Sequence, residues 1–93
     1  MTYEWDARKA ATNHKKYRVS FGEAASIFLD PWAMTYADPA SPAEEHREIT
    51  IGCRMKGRLL FLSHCKRGAR IRIISARPVT PSERLQYEET IDC

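Results

Sequence analysis

Between Arg47 and Arg77 the chain carries three strand-forming stretches with almost nothing between them. Arg47–Arg54, Arg58–Lys66 and Ala69–Arg77 are separated by short breaks at Lys56-Gly57 and Arg67-Gly68. A two-residue break leaves no room for a crossover, so the three stretches must form an antiparallel meander of tight hairpins. Two-residue turns at both breaks set Cys53 opposite Leu60 and Cys65 opposite Arg70. Because side chains alternate along a strand, this register sorts the meander into two sets. Ile49, Ile51, Cys53, Leu60, Leu62, His64, Ile71, Ile73 and Ser75 fall on one face, and this nearly aliphatic set predicts the side covered by helices. Thr50, Gly52, Arg54, Leu59, Phe61, Ser63, Cys65, Arg70, Arg72, Ile74 and Ala76 fall on the other, predicting an open, basic, partly aromatic surface.

Flanking segments supply the helices. Asp6 is a good N-cap for a helix reaching Tyr17, with Ala7, Ala10, Ala11, His14 and Tyr17 as a packing stripe and Lys9, Asn13 and Lys16 as a polar one. Ser20 and Glu23 have capping-box spacing for a second helix to Leu29, which Asp30-Pro31 ends. Ala33–Tyr36 predicts a short strand. Thr80-Pro81-Ser82-Glu83 opens a last helix with N-cap, N1 proline and capping-box acid in order.

Ninety-three residues suit one domain, spanning residues 1–93, because domains usually take ~100–200 residues. No apolar run approaches the ~20 residues of a membrane span. The N-terminus lacks the pattern of a secretory signal, so a cytoplasmic location is expected. The three cysteines, Cys53, Cys65 and Cys93, form neither an even set nor a CxxC pair, which predicts reduced thiols and no metal. The net charge of +3 hides an asymmetry. From Gly52 to Arg84 Lys and Arg recur against Glu83 alone, whereas Asp38, Glu44, Glu45 and Glu48 face only Arg47 in the preceding stretch. A segregated basic surface is the footprint of a polyanion, and an aromatic among arginines suits single-stranded RNA. An ordinary solvated face or an acidic protein partner is also compatible with it.

Glu4-Trp5-Asp6, then Lys9, Asn13 and Lys16, then Val19-Ser20-Phe21, resemble the N-terminal signature of the BrnT toxins. The likeness continues through Phe28-Leu29-Asp30-Pro31, Arg47, Ile51-Gly52 and Gly57-Arg58, and ends with the Arg70–Arg77 block, Glu83-Arg84 and Tyr87. The resemblance implies an α+β, RelE-like fold: two N-terminal helices packed on one face of an antiparallel sheet, and a short C-terminal helix. It further implies a type II toxin acting as a ribonuclease that inhibits translation. The implied partners are RNA and a BrnA-like ribbon-helix-helix antitoxin, which forms a hetero-oligomer with the toxin and through which alone operator DNA is reached. The chain departs from the family at Lys16-Tyr17-Arg18, where Lys-His-Gly is common; Arg18 disfavours a left-handed end to the first helix.

RNA cleavage without a metal or other cofactor needs a stabilised phosphorane, an activated 2′-hydroxyl and a protonated leaving oxygen. Arg77 and Arg84 suit the first role, since both lie where the last helix begins and its N-terminus favours anions. Lys16, Lys9, Glu83 and His64 are candidates for proton transfer; a capping role for Glu83 and a structural role for His64 compete. Tyr87, about one turn beyond Arg84, adds a hydroxyl or core aromatic body. Lys9, Asn13, Arg54, Arg58, Phe61, Arg70, Arg72 and Tyr87 complete the expected RNA-binding set. A non-catalytic RNA- or ribosome-binding module and a protein-interaction domain with a basic face are the alternatives.

Overall fold

The computed structural model describes residues 2–54 and 57–91; Lys56 of the first expected turn and the Cys93 thiol lie outside them. The elements are β1 (Thr2–Glu4), α1 (Ala7–Tyr17), α2 (Phe21–Ala25) running into a 3₁₀ turn (Ser26–Leu29), β2 (Met34–Ala37), β3 (Arg47–Cys53), β4 (Leu59–Arg67), β5 (Arg70–Pro78) and α3 (Pro81–Ile91). The sheet runs β1-β5-β4-β3-β2, with β1 parallel to β5 and every other pair antiparallel. The expected antiparallel sheet is therefore mixed, because three residues at the N-terminus, too few to show alternation, add a parallel edge strand. Among the described residues no helix is long and apolar enough to cross a membrane.

The helix starts form as their sequences dictate. Asp6 Oδ1 accepts from Arg8 N and Lys9 N at 2.8 and 3.1 Å, and Ser20 Oγ accepts from Glu23 N at 3.1 Å. The capping box of α3 is reciprocal, with Glu83 N bonding Thr80 Oγ1 and Thr80 N bonding Glu83 Oε1. The end of α1 overturns the expectation for Arg18: φ 58° and ψ 35° make it a left-handed C-cap. Such a conformation costs a non-glycine residue about 1–2 kcal/mol. The Arg18 N–H to His14 O bond of 2.8 Å offsets part of that cost. The Arg58 guanidinium adds two more bonds, donating to the otherwise open carbonyls of Arg18 and Tyr17.

The register of the meander also departs from expectation. Cys53 pairs with Leu59 and Arg47 with Cys65, one residue out from the two-residue-turn solution. The first hairpin closes between Arg54 and Arg58, with Gly57 at φ 82°, the left-handed position that ends a three-residue loop. A slip of one residue inverts a strand. Ile49, Ile51 and Cys53 consequently share a face with Leu59 and Phe61, while Thr50 and Gly52 turn under the helices. A Cβ on Gly52 would stand 3.1 Å from Ala33 Cβ and 3.2 Å from Ile27 Cβ, so the missing side chain lets the 3₁₀ turn lie against β3. The second hairpin turns at Gly68-Ala69, and Cys65 meets Arg72. That shift of two residues leaves the faces unchanged as far as a bulge, where Ser63 pairs with Ser75 but His64 with Ile73. Beyond the bulge Ala76 is buried beneath the helices, and Ser75 and Arg77 are on the opposite face.

The sheet is consequently covered on both sides. Val19, Phe21, Ala24 and Ile27 pack on Leu60, Leu62, Ile73 and Ala76. A second core joins Ile49, Ile51 and Leu59 to Tyr87 of α3. The expected open basic face is reduced to the end near the β4–β5 turn, where Arg70 is exposed and Arg72 half-buried.

Two polar side chains tie these layers together. On α1 the buried face is Ala10, Asn13 and Tyr17, whereas Ala7, Ala11 and His14 of the expected packing stripe are exposed. Asn13 is inward for a hydrogen-bonding reason. β1 pairs only Arg70–Arg72, leaving the far edge of β5 without a strand. There Asn13 Oδ1 accepts from Ala76 N at 3.1 Å, and its Nδ2 donates to Ala76 O at 2.8 Å and Val19 O at 3.2 Å. Asp30 does the equivalent on the other side: its carboxylate accepts from Trp32 N, Cys53 N and the Tyr87 hydroxyl at 2.9, 2.8 and 2.7 Å.

Asn13→Ala strands three buried backbone groups and is expected to cost about 3 kcal/mol in urea unfolding, since each unpaired buried group costs ~1–3 kcal/mol; a loss under 1 kcal/mol would show that the edge needs no closure. Burial raises the Asp30 pKa, but the Cys53, Tyr87 and Trp32 hydrogen bonds outweigh it and hold the carboxyl below its ordinary 3.8. The unfolded chain therefore takes up this proton first, so the stabilisation is complete above pH 3.8 and is lost below it. Tyr87→Phe removes one bond, and should flatten this acid limb in melting experiments from pH 5 to 2; a profile parallel to wild type refutes the assignment.

Candidate active site and nucleic-acid interface

The bulge determines which side chains can meet on the α3 side of the sheet. Without the extra residue, Ile74, alternation would carry Arg77 under α1 and α2; with it, Arg77 joins Phe61 on the face closed by α3. The Arg77 guanidinium lies 3.8 Å from the centre of the Phe61 ring. Its two terminal nitrogens donate to Glu83 Oε1 and Oε2 at 2.8 and 2.9 Å, and one also donates to Pro78 O. This fork is planar and charge-assisted, the strong form of such a contact. Glu83 can reach Arg77 because the capping box already holds its carboxylate at the start of α3.

The electrostatics follow from that contact. Hydrogen bonding from Arg77 holds the Glu83 carboxyl below its ordinary range, against burial and with help from Thr80. The same bond raises the Arg77 pKa. Glu83 is thus an ionised anchor for a guanidinium at neutral pH. Tyr17 and Tyr36 are within electrostatic reach of Arg77, and Arg84 stands exposed on the same first turn of α3. Tyr36 was missed in the sequence because its strand is four residues long; only pairing with Ile49 turns it toward this face.

A groove of about 290 Å³ runs along α1, lined by Arg8, Lys9, Thr12, Lys16, Tyr17 and Ile74, with Asn13 at its base. Lys9 and Lys16 are exposed, and the Lys16 ammonium lies 5.1 Å from the Tyr17 ring centre. Two cations beside an aromatic face can take phosphates and a splayed base. Tyr17 lines this groove and lies within electrostatic reach of Arg77. Arg58 donates to the Tyr17 carbonyl at the end of the same helix.

Several other candidates are occupied by the fold. The Asn13 carboxamide is committed to the β5 edge. Arg54 pairs with Glu23, and Arg72 pairs with Glu4 at 3.3 Å. The Tyr87 hydroxyl is bonded to Asp30, and burial together with that carboxylate raises its pKa. His64 is only 3% exposed, on the face away from Arg77; its Nε2 bonds Thr50 Oγ1 at 2.8 Å and its ring meets the Phe28 edge. Burial lowers its pKa, keeping the imidazole neutral. Arg70 lies at the opposite end of the sheet beside a cleft of about 590 Å³ lined by Glu44, Glu45, His46, Glu48, Lys66 and Arg67. Among the described residues no three His, Cys, Asp or Glu side chains stand together as metal ligands.

A mixed five-stranded sheet with helices on both faces, and an arginine–carboxylate fork where α3 begins, defines a small α+β protein. The chain belongs to the family described as the ribonuclease toxin, BrnT, of type II toxin–antitoxin systems, whose model matches residues 5–83. It is thus a toxin of the ribonuclease class, from a system that pairs each toxin with an antitoxin. The crystal structure of the Brucella abortus ribonuclease toxin BrnT is similar at a TM-score of 0.65 and 22% identity, over 86% of this chain and 99% of that one. That likeness is one of fold. No curated protein matches the sequence significantly.

Glu83→Gln retains an acceptor for Thr80 N but removes the charge facing Arg77. It is expected to cost about 1 kcal/mol of stability, at the level of a partly exposed pair, and to tighten binding of single-stranded RNA severalfold by leaving the guanidinium uncompensated. Weaker RNA binding in this variant would mean that Glu83 orients Arg77 more than it neutralises it.

Proposed function

We propose that the chain is a metal-independent endoribonuclease, RelE-like in fold, in which Arg77 stabilises the phosphorane. The guanidinium held over Phe61 by Glu83 at the start of α3 is the observation that carries this reading. RNA follows the α1 groove with phosphates against Lys9 and Lys16, and the scissile phosphate reaches the α3 edge. As the 2′-hydroxyl attacks phosphorus and the bond to the 5′-oxygen breaks, negative charge grows on the non-bridging oxygens. A guanidinium already oriented there stabilises that charge with little reorganisation. Arg84 adds a second cation from the same turn. Lys16 is the best situated group for proton transfer, since both Glu83 carboxylate oxygens are engaged by Arg77 and His64 is enclosed in the core.

The expected regulatory partner is a BrnA-like ribbon-helix-helix antitoxin that neutralises the toxin in a hetero-oligomer and carries it to operator DNA. The protein is expected to act on RNA in the cytoplasm, with residues 1–93 working as one domain.

Purified protein incubated with single-stranded RNA in EDTA should yield cleavage products, and Arg77→Ala should reduce the rate by ~10²–10³-fold, the usual loss for one oxyanion donor. RNA retarded but left intact would assign a non-catalytic binding module. Binding insensitive to salt would point to a protein-interaction domain, because phosphate contacts release counterions.

A further inference from the structure

We propose that Tyr36 is a substrate-contacting residue of this site, donating its phenolic hydroxyl to the phosphate held by Arg77. The inference rests on the ribonuclease reading above and adds a residue to it.

Pairing of Tyr36 with Ile49, and of Ile49 with Ser63 and Ser75 beyond it, sets the phenol on the face that carries Phe61 and Arg77. Two strands intervene between Tyr36 and β5, and Arg77 lies two residues beyond Ser75, the residue in register with Tyr36, which puts the Cα atoms of Tyr36 and Arg77 roughly 16 Å apart at ~4.8 Å per strand and ~3.3 Å per residue. Arg77 reaches back over one of those strands to lie on Phe61 of β4, and a tyrosine side chain spans much of the remainder. The Tyr36 row continues through Ile49, which packs with Tyr87, to the small side chains of Ser63 and Ser75, directly beside the row that carries Phe61 and Arg77. A phosphodiester entering from solvent can thus meet a guanidinium on one side and a phenol on the other.

The fold makes no other use of this hydroxyl. Tyr36 is 39% exposed, and no described residue accepts a hydrogen bond from it. Tyr87 differs on both counts, being 6% exposed with its hydroxyl bonded to Asp30. Burial first, then the negative charges of Glu83 and Asp38, hold the Tyr36 pKa above its ordinary 10.0, against the opposing pull of Arg77. The phenol is therefore protonated throughout the neutral range and available as a donor, and its sensitivity to both members of the Arg77–Glu83 pair agrees with the geometry.

The test compares Tyr36→Phe, Arg77→Ala and wild type in single-turnover cleavage of a single-stranded RNA oligonucleotide, with binding of its 2′-deoxy, uncleavable analogue measured in parallel. A donor used most in the transition state predicts that Tyr36→Phe lowers the rate by roughly 10–100-fold, while affinity for the analogue changes less than about threefold. Its melting temperature should match wild type, because the variant removes one exposed oxygen. Cleavage by Tyr36→Phe within twofold of wild type, with Arg77→Ala inactive, overturns this inference alone. Absence of cleavage by wild type overturns the ribonuclease reading and the inference with it.

Discussion

A single carboxamide closes the edge of the sheet where its neighbouring strand stops. β1 covers three residues of β5, and the rest of that edge would leave backbone groups unpaired beneath α1. Asn13 supplies both a donor and an acceptor to Ala76, as a strand would, and reaches Val19 as well. An aliphatic residue there could fill space but not satisfy a strand edge, and buried backbone polar groups are almost always paired. The same bonds fix the rotation of α1 about its axis. Lys9 and Lys16, one turn to either side of Asn13, are thereby held at the lip of a groove.

The bulge in β5 acts just before that contact, and the two features work as a unit. One unpaired residue reverses the alternation, so Ala76 goes under the helices to meet Asn13 while Arg77 turns to the α3 side. A strand without the bulge would bury an arginine among aliphatic side chains, at a cost of several kcal/mol for an unpaired ion. Placing Arg77 opposite Glu83 and above Phe61 gives the charge a partner and a ring face. Structural need and candidate chemistry thus converge on one guanidinium.

Charge is spread differently in space than along the chain. The basic stretch from Gly52 to Arg84 suggests a continuous cationic surface, yet many of its arginines are already engaged. Arg54 meets Glu23, Arg67 meets Glu45, Arg72 meets Glu4 and Arg77 meets Glu83, while Arg58 caps α1. Half-buried guanidinium groups pair with carboxylates because desolvating a lone charge is expensive. The exposed cations that remain lie mainly along α1 and on the first turn of α3, which narrows where RNA can be engaged.

Helix starts and the existence of the strands were legible in the residues themselves. Asp6, Ser20 and the Thr80–Glu83 box act within one turn of chain, where spacing alone specifies who bonds to whom. The family was legible for a similar reason, since its signature is a pattern of residues in order. Strand facing was not, because a three-residue loop in place of a two-residue one, and a bulge at Ile74, each invert everything beyond them without leaving a composition signal. The inward turn of Asn13 and the engagement of Asp30 by Tyr87 belong to the same group. They join residues up to 63 positions apart, and which long-range partner a polar side chain finds is decided only when the layers pack and each buried group must be satisfied.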